Sequence, residues 1–440
     1  MRVGDELREQ VVEWRRDFHA HAETGWTEFR TSVRIVGTLQ NLGWSVVFGP
    51  ELHDGGERMG VPDTDTLAAA RRRAVAEGAD PALVGRMGEG FTGAIGILET
   101  GRPGPVVGFR FDIDANDLVE PTSDEEHIPT ELGFASIHPG AMHGCGHDGH
   151  AAMGLGLASL LTAHRDELVG TVKIVFQPAE EGVRGAHSIA AAGWLDDIDI
   201  FVATHLMAAE GLGHVCVGAD SFLASSKFDV SFEGVGAHAG AEPEKGHNAL
   251  LAACAAATNM MAISRHSAGA SRMNIGTLTA GEGRNVVPRM ARMRAECRGA
   301  STEVNDYMLR RAREIVAGAA QMFDVTSSVT LVGHADTIHP SAQLLPFVRA
   351  AFAGVVGVTD VVDHPEPGRG AGSEDASVMI ARVQDHGGLA TYVTIGMDTT
   401  GGHHTKDFDV DEAALPIGVE AEARIAVGAA DFLASLGREG

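Results

Sequence analysis

Aromatic residues are scarce in this chain: two Tyr, four Trp and 17 Phe among 440 residues. Cysteine is scarcer, with Cys145, Cys216, Cys254 and Cys297 forming no CxxC pair. That excludes a disulfide framework or a zinc ribbon and suits a reducing compartment. Basic residues are outnumbered, 34 Lys and Arg against 60 Asp and Glu, for a net charge of -26. Nucleic acid and anionic lipid are therefore poor partners, and an anionic substrate needs a local positive site such as bound metal. Long hydrophobic runs are also missing. The most apolar stretch, residues 249–263, is interrupted by Asn259 and reads as a buried helix, not a membrane span. The opening MRVGDELREQ is charged and lacks the apolar run of a signal peptide, so a cytoplasmic protein is expected.

What the chain has in abundance is glycine, 56 residues, which favours tight turns and close packing. Its length predicts two or three domains. Residues 4–42 carry a helical apolar rhythm, and residues 58–90 look like a polar, helix-prone excursion. GAIGILET and PVVGFRFDID read as strands separated by the turn signal GRPG. TVKIVFQP and IDIFVATH follow as strands between small-residue helices. This alternation predicts an α/β domain with a mostly parallel central sheet flanked by helices. From about residue 221 the order becomes β-α-β-β-α-β, that of a ferredoxin-like unit. The expected division is a discontinuous metal-binding domain, 1–220 and 336–440, with an insert at 221–335.

The densest chemistry is MHGCGHDGH, carrying His143, Cys145, His147, Asp148 and His150. Thiolate with imidazole suits zinc, manganese or cobalt better than calcium or magnesium. The plainer alternative is a polar loop capping a helix, and His143 or His150 taken singly could support ligands without being one. FQPAEEG places Glu180 and Glu181 after a strand and a proline. Neighbouring side chains on extended backbone diverge, so one carboxylate can meet a metal while the other faces substrate. A metal-assisted hydrolysis needs such a spare carboxylate as proton carrier. His205 ends IDIFVATH, and His403 and His404 follow the strand LATYVTIG in GGHHTKDFD. Cys145, His147, Glu181, His205 and His404 thus make a ligand set drawn from the carboxyl ends of strands and the loops beyond them.

CGHDGH, FQPAEEG, GVGAHAGAEPEKGHNAL, GRNVVP, GSEDAS and HHTKDFDVDE occur in this order. With them the chain resembles the aminoacylase, carboxypeptidase G and auxin-conjugate hydrolase family of metallopeptidases. WRRDFHAHAETGWTEFRT, RMGVPDTDTL and GEGFTGAIGILETGRPGP extend the likeness over almost the whole chain, toward a branch acting on p-aminobenzoyl-glutamate. The resemblance implies two divalent metal ions per protomer, manganese or zinc, on the five ligands. It implies Glu180 as general base and then general acid, and Asp112 behind the ligands. His238 would polarise the scissile carbonyl from a neighbouring protomer, with Asn285 in the same substrate-facing region. The insert would mediate a homodimer or higher homo-oligomer, and a related second chain is a further implied partner.

Three departures bear on substrate: Asn116 after the Asp-x-Asp-Ala run, Arg289 after NVVP, and the segment THLMAAEG. Arg289 reads equally as a substrate contact or a solvated strand residue. The expected function is hydrolysis of an aromatic N-acyl amino acid resembling p-aminobenzoyl-glutamate. Two alternatives stand beside it: hydrolytic deamination of an aminobenzoate, with Arg289 on a ring carboxylate, and a non-catalytic partner protein. The presence of Glu180 argues against the last.

Overall fold

A computed structural model describes residues 1–121, 127–208, 210–365 and 372–438. The chain opens with α1 (Asp5–Ala20) and α2 (Phe29–Asn41), then β1 (Ser45–Phe48). The polar excursion folds as α3 (Thr64–Ala76) and α4 (Pro81–Met87), each started by an aspartate, Asp63 or Asp80, whose side chain accepts from the first-turn amides. Next come β2 (Ala94–Glu99), β3 (Val106–Asp112), α5 (Ile128–Glu131), α6 (His147–Ala163), β4 (Thr171–Gln177), α7 (Ala186–Ala191), β5 (Ile200–Ala208) and β6 (His214–Cys216). A second group is β7 (Ala224–Glu233), α8 (Ala249–Met261), β8 (Ser271–Ala280), β9 (Met290–Gly299), α9 (Thr302–Met322) and β10 (Thr326–Ala335). The chain ends with α10 (Leu345–Ala353), β11 (Asp360–Val362), α11 (Ala376–Asp385), β12 (Leu389–Met397) and α12 (Leu415–Ser435).

Eight strands form one sheet in the order β1-β2-β4-β3-β5-β12-β6-β11. It is mixed, with four of its seven pairings parallel, β6–β11 among them, as expected of a mostly parallel central sheet. Its centre, β4-β3-β5-β12, is parallel throughout. The pairs β1–β2, β2–β4 and β12–β6 are antiparallel. The connection from Ala208 to His214 is too short for a crossover helix, so β6 has to run back against its neighbour. One face packs on α6, α2 and α12, with α1 laid over α6, and the other on α7 and α11. The helix α6 is buried on all sides, and its small residues permit this. A Cβ on Gly154 would come within 2.6 Å of Phe176 and 2.8 Å of Phe111. Alanine there would push α6 off the sheet.

The second sheet is antiparallel, in the order β10-β7-β9-β8. Alternation divides it cleanly. Phe228, Val230, Phe232, Met293 and Cys297 are buried in a core shared with α8 and α9. Lys227 and Asp229 on β7, with Arg294, Glu296 and Arg298 on β9, point to the other face. No helix among the described residues is long and apolar enough to cross a membrane.

Candidate metal centre

The four parallel central strands all point their carboxyl ends at one place. Asp112 closes β3, the Pro178–Glu181 turn follows β4, His205 lies late in β5, and His403 and His404 follow β12. The loop before α6 completes the group with Cys145, whose neighbour Gly146 (φ 91°) turns the chain into the helix so that His147 starts it. Asn116 Oδ1 accepts from Gly144 N at 2.9 Å and Gly144 O from His404 N at 2.7 Å, tying that loop to two others.

The ring nitrogens divide the histidines into those with a free donor atom and those without one. His147 Nδ1 donates to Asp114 O at 2.8 Å, leaving a buried Nε2 with no hydrogen-bond partner among the described residues. His205 Nδ1 donates to Leu206 O at 2.6 Å, and its Nε2 lies 3.6 Å from Cys145 Sγ. His404 Nε2 lies 3.2 Å from Glu181 Oε1. These side chains each turn a free donor atom toward a common centre, and Cys145, Glu181 and His404 are mutually within 4.8 Å. His150 is different: its Nε2 accepts from Leu206 N at 2.8 Å, so its Nδ1 carries the proton and donates to Asp112 Oδ1 at 2.5 Å. His403 Nε2 accepts from Ala208 N at 2.9 Å and its Nδ1 faces Cys145 Sγ at 3.5 Å. Neither has a lone pair left for a cation. His143 lies apart, its ring against His19 with centroids 6.1 Å apart.

A thiol, imidazoles and a carboxylate with buried, unsatisfied atoms fit a borderline-soft divalent cation. Charge says the same. Hydrogen bonds to Cys145 and Glu181 push His404 up to about 10. Against the effect of burial, His404 and His147 hold Glu181 down at about 2. Cys145 and Glu181 hold a proton on His404 for the reason that would make them hold a cation. Burial, and then Glu374, Glu181 and Asp375, push Glu180 well above the usual carboxylate range.

Three groups that sequence reasoning left without a role brace the centre. Two buried carboxylates clamp three consecutive amides of the Glu180 turn. Glu28 Oε1 accepts from Ala179 N at 2.8 Å, and Asp114 accepts from Glu180 N at 2.9 Å and Glu181 N at 3.0 Å. The clamp holds Ala179 at φ 53°, a conformation an alanine rarely adopts. Arg110, fully buried, donates to Asp112 Oδ2 at 2.7 Å and Glu374 Oε1 at 2.9 Å, and Tyr392 donates to Glu374 Oε2 at 2.5 Å. Asp112 thus stands behind the donors with both oxygens engaged. Asp375 accepts from Gly185 N and Ala186 N, each at 3.0 Å. GSEDAS was visible as a motif, but only tertiary structure shows what its acids hold.

A cavity of about 430 Å³ opens onto Cys145, Glu180, Glu181, His205 and His404. Beside it a cleft of about 660 Å³ shares Glu181, Gly182, Lys227 and His404. Asn116 lines the cleft and Met207, from THLMAAEG, lines the cavity. Ala209 in that segment lies outside the described residues. His238, Asn285 and Arg289 line neither space. His238 is exposed in a turn where its Nδ1 accepts from Ala241 N at 3.0 Å, and Asn285 O accepts from Ala239 N at 3.0 Å. Arg289 is 64% exposed and lies 3.3 Å from Glu282.

Residues 108–427 match the model of peptidase family M20/M25/M40. The chain is 47% identical to the indole-3-acetyl-aspartic acid hydrolase of Enterobacter agglomerans, over 94% of each chain. It is also 47% identical to one of the subunits of the p-aminobenzoyl-glutamate hydrolase of Escherichia coli K12, over 96% of each. The crystal structure of an aminobenzoyl-glutamate utilization protein from Klebsiella pneumoniae superposes with a TM-score of 0.83 at 42% identity, over 96% of each chain. Matched through both sheets and through every strand end that carries a donor, the chain belongs to peptidase family M20/M25/M40, hydrolases of amide bonds.

Proposed function

We propose that this protein hydrolyses the amide bond between an aromatic acyl group and an acidic amino acid, as in p-aminobenzoyl-glutamate, at a pair of divalent cations. One observation carries the reading: the Glu180 carboxyl faces the same cavity as Cys145, Glu181, His205 and His404, while Cys145, Glu181 and His404 already bring three donor atoms together without it. A structural metal site has no use for a spare acid. The two 47% relatives support the substrate class, since their names share an acidic amino acid and differ in the aromatic acyl group.

Cys145, His147, Glu181, His205 and His404 would hold the cations, zinc or manganese by donor chemistry. Bound there, the cations would polarise the scissile carbonyl and make water a stronger acid. Glu180 takes a proton from the attacking water and delivers it to the leaving nitrogen. Its raised proton affinity suits the second step, in which it acts as an acid. Asp112 and Arg110 keep the donors oriented.

His238 and Asn285, outside the cavity of their own chain, we assign to the site of a second copy. The homodimer would form through residues 221–335, a ferredoxin-like unit set into the catalytic domain of 1–220 and 336–440. Pairing with a different chain is the alternative assembly, because one relative is named as a subunit of its hydrolase. Four free thiols suit the cytoplasm. The deamination reading relied on Arg289 as a ring-carboxylate contact, and within its own chain Arg289 pairs with Glu282 instead.

The test is a substrate panel. Metal-stripped protein is reloaded with manganese, zinc or cobalt and given p-aminobenzoyl-glutamate, indole-3-acetyl-aspartate and an aminobenzoate, with products identified by mass. Release of the free amino acid only after metal addition is the expected result. Ammonia from the aminobenzoate alone, or full activity without metal, overturns it.

A further inference from the structure

We infer that Lys227 is the residue that recognises the side-chain carboxylate of the substrate's acidic amino acid, and so sets the preference for acidic over neutral conjugates. The inference rests on the substrate class proposed above and names the group that selects it.

The chain has 60 acids against 34 bases, so an anionic substrate meets net repulsion until it finds a local cation. Lys227 is placed to be that cation. It projects from the helix-free face of the four-stranded sheet and lines both the metal-side cavity and the adjoining cleft. Glu181 and His404 line the same two spaces, so a ligand spanning from the donors into the cleft passes Lys227.

The other cations nearby are already engaged or stand further out. Arg298 Nε lies 3.2 Å from Glu296. Arg184 donates to the backbone oxygens of Glu181 at 2.8 Å and Gly60 at 3.1 Å. Arg294 lines only the cleft and is exposed. Lys227 is half-buried and makes no ion pair among the described residues, although Asp229 sits two positions along its strand and Glu296 opposite it on β9. Of the acids at the metal end, Glu374 is held by Arg110 and Glu181 by His404. A half-buried ammonium with no counter-ion among the described residues, beside a cavity, is a ready partner for a ligand carboxylate.

The experiment separates this from the hydrolysis itself by measuring binding without turnover. Metal-loaded Glu180→Gln protein is titrated with p-aminobenzoyl-glutamate and with p-aminobenzoyl-glutamine, which differ only in the side-chain charge. The glutamate compound should bind about 10- to 100-fold more tightly, the range for a charge-assisted hydrogen bond. Adding Lys227→Met should reduce that ratio to about threefold or less, while Lys227→Arg keeps most of it. Circular dichroism and metal content confirm that each variant is folded and loaded. A ratio unchanged by Lys227→Met overturns the inference. So does an equal weakening of both compounds, which would move Lys227 to the α-carboxylate, and so does failure of both to bind. Tight, Lys227-dependent binding with no hydrolysis by the wild-type protein would sink the proposed reaction and leave the recognition site standing.

Discussion

Replacing Glu28 by alanine should damage catalysis from a position that touches neither cavity. The carboxylate accepts from Ala179 N at 2.8 Å and from Thr92 Oγ1 at 2.7 Å, and it is fully buried. Its removal leaves a buried amide unpaired, at a cost of about 1–3 kcal/mol. Ala179, at φ 53°, already carries about 1–2 kcal/mol of left-handed strain. The turn relieves both costs by relaxing, and it carries Glu180 with it. A displacement of about 1 Å at a reacting group costs on the order of 10²-fold in rate. We expect kcat to fall about 10- to 100-fold with KM little changed. Metal content should largely hold, because Cys145, His147, His205 and His404 are carried by other segments than this turn. Burial, and then the neighbouring Asp114, push Glu28 up to about 8. Glu28→Gln keeps an oxygen to accept from Ala179 N and should restore most of the rate. The assay is steady-state kinetics on all three proteins, with metal analysis and thermal melting. Wild-type kcat in a Glu28→Ala protein that merely melts earlier would reduce Glu28 to a packing residue and refute the argument.

Three other outcomes follow from the same geometry. Glu180→Gln should lose about 10²-fold or more in turnover and keep its metal, whereas Glu181→Gln should lose metal; the reverse pattern by elemental analysis exchanges their roles. Burial raises Glu422, which among the described residues is hydrogen-bonded by Thr204 alone, to about 8, so the folded state holds a proton that the unfolded state releases near pH 4.5. That contribution is fully present below pH 4.5 and is lost as pH rises toward 8, so melting temperature should decline across this window less steeply in Glu422→Gln than in wild type. Mixing inactive His238→Ala with inactive Glu180→Gln should regenerate activity if His238 serves a second copy. Mass measurement must first show that protomers exchange, and continued inactivity after exchange assigns His238 to its own chain or to no role.

The parts of this molecule that were legible in sequence are those whose chemistry is local. Cys145 and His147 share one loop, and neither residue type has a common structural reason to cluster there. Glu180 and Glu181 were legible as a pair because extended backbone sends neighbours apart. The choice of His404 over His403 acquires its physical reason only in the fold, where Ala208 N occupies the Nε2 lone pair of His403. Glu28, Asp114 and Arg110 were opaque for a related reason. A buried acid or arginine is defined by a partner distant in sequence, and Glu374 lies 264 residues from Arg110. The direction of β6 was not legible, because a three-residue apolar strand carries no sign of which way it runs. The three-residue β11 fell below what periodicity can detect.

The strands β7 and β10 pair with each other along their length, from Ser225 opposite Ala335 to Glu233 opposite Thr326. The chain therefore leaves for the second sheet and returns from it at the same place. All five donors, and Glu180 with its clamp, are encoded outside residues 224–335, while Lys227 and Arg294 are encoded inside. Drift in that one stretch of gene can reshape which conjugates are accepted without touching a metal donor. Family members could in this way come to process different conjugates with the same hydrolytic machinery, and exchanging this segment between relatives is a natural route to new preferences.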